Sequence, residues 1–151
     1  MLLATVSLAG AGSARADVHA AGTDSWYRIE NAASHLYLSA LDRNGALRAQ
    51  QPNRTGGQDF RLLPGSHGYQ LESRLYPGSC VTAADSERDV RLEDCRLDDT
   101  AQLWNYHLSS DGSTIANVRL PYVCITGESR HDTAVLRLCD GSAGQRWYAV
   151  T

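Results

Sequence analysis

Gln-x-aromatic is written three times in this chain, at Gln58-Asp59-Phe60, Gln102-Leu103-Trp104 and Gln145-Arg146-Trp147. The copies recur about every 43 residues, a period typical of repeat architectures. Setting them in register aligns their flanks. Each copy is preceded by an alternating run, "YRIEN", "YQLES" or "TIANV", then by "LYLSA", "SCVTA" or "VCITG", then by "GALRAQ", "DVRLED" or "AVLRLC". Apolar and polar residues alternate with period two, and turn residues intervene every 8–12 positions. No ten-residue stretch holds a helical period. The pattern predicts four short strands per repeat, about twelve in all. Twelve short strands in three similar units favour a closed or nearly closed all-β body, which removes exposed sheet edges. Within a strand, residues i and i+2 face the same side. Gln102 and Trp104 are therefore expected to point together, as are Gln145 and Trp147. Gln58 and Phe60 form the same pair with a smaller plug. We read these six as core residues, because a buried aromatic fills volume and a Gln amide can satisfy the backbone of a turn.

Four cysteines stand in two pairs of identical spacing, Cys80 with Cys95 and Cys124 with Cys139. Three connectivities are open to four cysteines. Equal spacing favours two local loops, each stabilising by roughly 3 kcal/mol on the chain-entropy model. No Cys-x2-Cys pair and no His at ligand spacing supports a zinc site. Disulfides imply export. The N-terminus agrees with that. Residues 1–16 hold a short apolar run followed by Ala14-Arg15-Ala16, an A-x-A cleavage pattern. A basic n-region is missing, which implies a start further upstream. Residues 17–24 read as a flexible tail, and 25–151 as one domain with lobes at about 26–64, 65–109 and 110–151. The apolar run is too short for a membrane span, which needs about 20 residues.

The net charge of −3 argues against nucleic acid, which demands a basic face. All basic residues are Arg and none is Lys. Arginine's planar fork suits carboxylate ligands better than an ammonium does.

The repeat, the Gln-x-Trp copies and the internal Cys pairs together resemble the ricin B-type lectin β-trefoil, over about 26–151. A second likeness lies inside the same fold. Phe60, Arg61, Pro64 and Gly65, then Leu71, Glu72 and Ser73, then Tyr76, Pro77 and Gly78 are similar to a phrase of the arabinose-binding domain of B-type α-L-arabinofuranosidases. The resemblance implies a β-trefoil of three pseudo-repeats and a non-catalytic module that binds sugar, one pocket per lobe. Ricin-type pockets place Asp two residues after the first Cys, where this chain has Thr82 and Thr126, with Ser39 in repeat one. They place an aromatic two residues before the second Cys, where it has Glu93 and Arg137. They place a polar residue before the Gln, where it has Gly57, Ala101 and Gly144. The arabinose-binding pattern's Asp at the end of the third strand is kept as Asp94 and becomes Gln51 in repeat one.

Sugar sites need paired donors and acceptors beside an apolar face. Repeat two offers Thr82, Asp85, Arg91, Glu93 and Asp94. Repeat three offers Thr126, His131, Asp132 and Arg137. Repeat one offers Ser39, Asp42, Asn44 and Gln51. All of these residue types also suit solvated turns. Repeat two ranks first because it keeps Asp94. His131 beside Asp132 reads as an exposed turn rather than a catalytic pair, and neither G-x-S-x-G nor H-E-x-x-H occurs. Asn53-Arg54-Thr55 is a formal N-glycosylation sequon. The expectation is a secreted, monomeric, lectin-like module for arabinose- or galactose-bearing polysaccharide, without catalytic residues, metal or cofactor. The alternative is a secreted trefoil that binds protein, as a protease inhibitor or a toxin- or enzyme-associated factor.

Overall fold

The computed structural model describes residues 25–85, 88–107, 111–128 and 133–151. The sequence-defined repeats serve as labels: the first carries β1 (Tyr27–Asn31), β2 (Tyr37–Ser39), β3 (Arg48–Gln50) and β4 (Asp59–Pro64). Repeat two carries β5 (Tyr69–Ser73), β6 (Ser79–Ala83), β7 (Val90–Asp94) and β8 (Trp104–Asn105). Repeat three carries β9 (Ser113–Thr114), β10 (Ala116–Asn117), β11 (Val123–Glu128), β12 (Thr133–Leu138) and β13 (Arg146–Val150). The described residues therefore hold one strand more than the expected twelve. The run "TIANV" is split at Ile115, which is fully buried. On one side of it β9 pairs with β13, and on the other β10 pairs with β8 and β11, so the chain changes partner at that residue.

All pairings are antiparallel. They close into a nine-strand circuit: β1 pairs with β4, then β5, β8, β10, β11, β12, β3 and β2 follow in turn, and β2 pairs with β1. β6 and β7 extend from β5, while β13 and β9 extend from β1. Closure leaves the ring itself without a free edge. An all-β ring with added hairpins fits a β-trefoil.

The core sits inside this ring. Trp104, Trp147 and Phe60 are fully buried together with Tyr106, Ile29, Leu71, Ile115 and Ile125. A Trp in such a place must satisfy its indole N–H. Trp104 Nε1 donates to Val81 O and Trp147 Nε1 to Ile125 O, each at 2.9 Å. Burial pushes the Tyr106 hydroxyl well above its ordinary value, and the group donates to Trp147 O.

One expectation about the Gln residues is corrected. Gln102 and Gln145 do not lie in strands. They end short 3-10 turns, Thr100–Gln102 and Ala143–Gln145, and Gln58 ends an irregular turn. The chain becomes extended only at the following residue. All three side chains are nevertheless buried. The stretch that resembles the arabinose-binding phrase builds the β4–β5 hairpin and the turn into β6. Glu72 bonds Arg61 Nε at 2.9 Å and accepts the N–H of Gly78, whose φ of 80° needs glycine's freedom. Both disulfides form as expected, Cys80–Cys95 and Cys124–Cys139. Among the described residues no helix is long and apolar enough to cross a membrane.

Candidate functional site

The three Gln side chains do the same job at three places. Gln102 Nε2 donates to Asp94 O at 2.8 Å, and its Oε1 accepts the N–H of Arg96 at 2.7 Å. Gln145 Nε2 donates to Leu138 O at 2.7 Å, and its Oε1 accepts Asp140 N–H at 2.8 Å. Gln58 Nε2 donates to Gln51 O and its Oε1 accepts Asn53 N–H, both at 2.8 Å. Each amide thus grips the loop that leaves the third strand of its repeat. Gln51, Asp94 and Leu138 are brought to equivalent positions by this clamp.

Two of the hydroxyls proposed from sequence belong to the clamp. Gln58 Nε2 also donates to Ser39 Oγ and Gln102 Nε2 to Thr82 Oγ1. Those hydroxyls in turn donate to Tyr37 O and Cys80 O. Ser39 and Thr82 are only 1% and 2% exposed, so their oxygens lie beneath the surface. Thr126 is half-buried and donates to Cys124 O in the same way.

Above the clamp of repeat two lies a cleft of about 340 Å³, lined by Asn44, Arg91, Glu93, Asp94 and Arg96. The proposed residues Arg91, Glu93 and Asp94 are therefore brought together, at the tip and outer face of β7. The opposite wall comes from repeat one. Its turn reaches across because Leu92 N–H bonds Gly45 O at 2.9 Å, and Arg91 Nη2 donates to Asn44 O at 3.0 Å. Asn44 holds a φ of 64°, which Asn tolerates better than most residues. Arg43 approaches Asp94 at 3.8 Å. Arg96 is held between Glu93 at 3.2 Å and Asp99 at 2.7 Å. The site thus mixes guanidinium donors with carboxylate and amide acceptors, a set suited to hydroxyl groups.

Other proposed residues fall elsewhere. Asp85 is fully exposed outside this lining and meets Arg119 at 3.4 Å. Gln51 is exposed, with its carbonyl in the clamp of repeat one. His131 and Asp132 lie outside the described residues, as do the leader at 1–16 and the tail at 17–24. Arg137 lines a second cleft, of about 700 Å³, with Arg88, Tyr122, Val123, Leu136, Leu138 and Asp140. Sequence reasoning missed Arg96, Arg88, Tyr122 and Asp140. Only Tyr122 carried a signal, an aromatic directly before a strand and beside a Pro.

The positions before each Gln are structural. Asn117 Nδ2 donates to Ala101 O and Leu103 O, at 3.1 and 3.3 Å, and Asn31 Nδ2 donates to Gly144 O at 2.8 Å. These bonds cross from one repeat to the next. At Gly57 a side chain would collide with Ala40 O.

A family model described as the ricin-type beta-trefoil lectin domain matches residues 25–148, most of the chain. The chain belongs to the ricin-type β-trefoil lectin family. Solved structures support the fold of this ricin-type domain. The GlcNAcα1-4Gal releasing endo-β-galactosidase from Clostridium perfringens matches with a TM-score of 0.74 and 11% identity, over 83% of this chain and 32% of that one. The designed threefold symmetric protein ThreeFoil matches at 0.71 and 16% identity, over 83% and 98%. The cytolethal distending toxin from Actinobacillus actinomycetemcomitans matches at 0.70 and 21% identity, over 85% and 92%. The ricin-type domain thus spans about a third of the Clostridium enzyme's length. No curated protein matches the chain.

Proposed function

We propose that this ricin-type domain is an exported, monomeric, non-catalytic module that binds a neutral glycan in the cleft of repeat two, as one of three pseudo-repeated lobes. The carrying observation is the convergence of Arg91, Glu93 and Asp94 with Asn44 and Arg96 in one cleft of a lectin-family fold. Family membership supports carbohydrate as the ligand class. The likeness to the arabinose-binding phrase favours arabinose- or galactose-bearing polysaccharide. Two disulfides and the absence of a long apolar helix among the described residues are consistent with an extracellular site of action.

Asp94 is the residue to test. Its carboxylate is largely exposed, and its ion pair with Arg43, at 3.8 Å, is of the exposed kind that contributes little stability. Asp94→Ala should therefore fold normally. A charged hydrogen bond to a sugar hydroxyl is worth about 1.5–3 kcal/mol. On a glycan array and by titration with arabinoxylan or galactan fragments, the variant should bind at least about tenfold more weakly. Unchanged binding would rule out this cleft, and no signal with any glycan would sink the lectin reading.

A second reading has one observation in its favour. Among the described residues no aromatic lines the repeat-two cleft, and Leu97, next to Arg96 in the chain, is 87% exposed. That combination suits a protein partner. Inhibition of a panel of secreted proteases, lost on Leu97→Asp and retained in Asp94→Ala, would replace sugar with protein as the ligand.

A further inference from the structure

The second cleft occupies the same place one repeat further on. In repeat two, Leu92 N–H bonds Gly45 O and Cys95 N–H bonds Gly78 O; in repeat three, Leu136 N–H bonds Arg88 O and Cys139 N–H bonds Tyr122 O. With the Gln clamps, these bonds match Glu93 to Arg137, Asp94 to Leu138, Arg96 to Asp140, Gly45 to Arg88 and Gly78 to Tyr122. The chemistry at matched positions is inverted. Acids become Arg or Leu, an Arg becomes Asp, and glycines become Arg and Tyr. We propose that this cleft is a second sugar subsite, selective for a carboxylate-bearing sugar that stacks its apolar face on Tyr122 and presents its carboxylate to Arg88 and Arg137. The inference rests on the carbohydrate reading above.

Three observations carry it. The first is an apolar face. Tyr122 and Leu138 are 53% and 70% exposed, and they are two of five exposed large hydrophobics among the described residues. Both line this one cleft, over a floor of buried Val123 and Leu136. Such a face favours sugar stacking, and among the described residues no aromatic or aliphatic side chain lines the repeat-two cleft, which would hold its glycan through hydrogen bonds. The family's aromatic position holds Arg137 here, so the platform is supplied from a different place in the chain.

The second is charge. Among the described residues the lining holds two guanidinium groups, Arg88 and Arg137, and one carboxylate, Asp140. Asp140 stays ionised, since the Ser142 N–H bond to Oδ1 at 2.8 Å holds its carboxyl below its ordinary range, so the ligand's carboxylate must sit on the arginine side and away from it. It is left as an acceptor for a sugar hydroxyl. Arginine binds carboxylate through two parallel N–H bonds, which gives geometric selectivity as well as attraction. The third is context. The whole chain is acidic and carries no Lys, so an arginine-flanked apolar cleft is a local feature and not a general polycation surface. That argues against a phosphate backbone as the natural occupant.

A carboxylate-bearing sugar occurs as a uronate or as a sialate, and matched ligands separate the two. The full exported chain would be titrated with trigalacturonate against its methyl ester, and with sialyllactose against lactose. At least one acid should bind ten times more tightly than its neutral counterpart, with the advantage shrinking as NaCl rises. Tyr122→Ala and Arg88→Gln should each remove at least five-fold of that affinity at unchanged melting temperature. Asp94→Ala should leave it intact. Equal binding of acid and neutral forms, or an acid preference indifferent to both variants, overturns the proposal. If neutral glycans bind in an Asp94-dependent way with no acid preference, the lectin reading stands and this subsite falls. If no sugar of either kind binds, both fall.

Discussion

Gln102 shows how one buried side chain links fold to site. Its amide holds Asp94 O, Thr82 Oγ1 and Arg96 N–H, and also accepts from Gln70 Nε2 at 3.3 Å. Replacing it by Leu keeps the volume but strands the carbonyl of Asp94 and the N–H of Arg96. Each stranded group costs about 1–3 kcal/mol. Gln102→Leu should therefore lower unfolding stability by roughly 2–4 kcal/mol in a urea titration. It should also weaken binding in the repeat-two cleft, because Asp94 and Arg96 flank the released loop. A variant that lost stability but kept full affinity would separate the clamp from the site. Much of this residue was legible in sequence: its burial, its amide's use on a turn, and its neighbour Trp. Its backbone conformation was not. Period-two spacing is also met by a turn that becomes extended one residue later, so Gln102 and Trp104 read as one strand when only Trp104 is in it. Ser39 and Thr82 were misleading for a related reason. Matching them to a family's acid position says which column they occupy, but a short hydroxyl in that column reaches the Gln and the backbone and stays below the surface.

At the scale of elements, the short turn Thr100–Gln102 decides whether Gln102 arrives in place. Asp99 caps it, accepting Ala101 N–H at 2.9 Å, and also accepts from Arg96 Nε at 2.7 Å. Burial pushes the Asp99 carboxyl up, but the bonds from Arg96 and Ala101 and the charges of Arg96 and Arg119 outweigh it and hold the group below its ordinary value of 3.8. The sign follows directly. A carboxyl with a depressed folded value contributes stability that is fully present above its unfolded value and lost as pH falls through the folded one. Melting temperature should be flat with respect to this group above about pH 5 and decline below about pH 4. Asp99→Asn should show a shallower acid decline, and Asp99→Ala should cost about 1 kcal/mol at neutral pH through the lost cap. Identical acid slopes in wild type and Asp99→Asn would remove Asp99 from the account. The element pattern was largely readable, because antiparallel hairpins alternate strongly. The break of "TIANV" into β9 and β10 was not, since two-residue strands are too short to show a period. The clefts were not readable either. Each is built where the third strand of one repeat meets a turn of the previous one, and pairs such as Asn44 with Arg91 are 47 positions apart. No local pattern encodes that meeting.

The whole molecule is knit across its repeats, so its parts should not fold separately. β13 pairs with β1 from Arg28↔Val150 to Asn31↔Trp147, joining the two ends of the described chain. Asn31 then reaches Gly144 O, while its Oδ1 accepts the N–H groups of Ala33 and Ser34 at 3.1 and 3.2 Å. Asn117 makes the corresponding link from repeat three back to repeat two. Ending the chain after Gln145 would remove β13 and with it Trp147, the partner of β9 and one neighbour of β1. Loss of a buried Trp alone costs about 3–5 kcal/mol, against a total of about 5–15 for a domain of this kind. The unpaired groups of β1 add to that loss. The truncated chain should therefore lose its near-ultraviolet circular dichroism and its cooperative melt throughout, including the signal from Trp104 in repeat two. Were the repeats independent, Trp104 would keep a native emission maximum and repeat two would still bind glycan. The interlocked ring predicts the opposite, and the two outcomes differ in a single fluorescence spectrum of the truncated protein carrying Trp26→Phe, in which Trp104 is the sole remaining tryptophan.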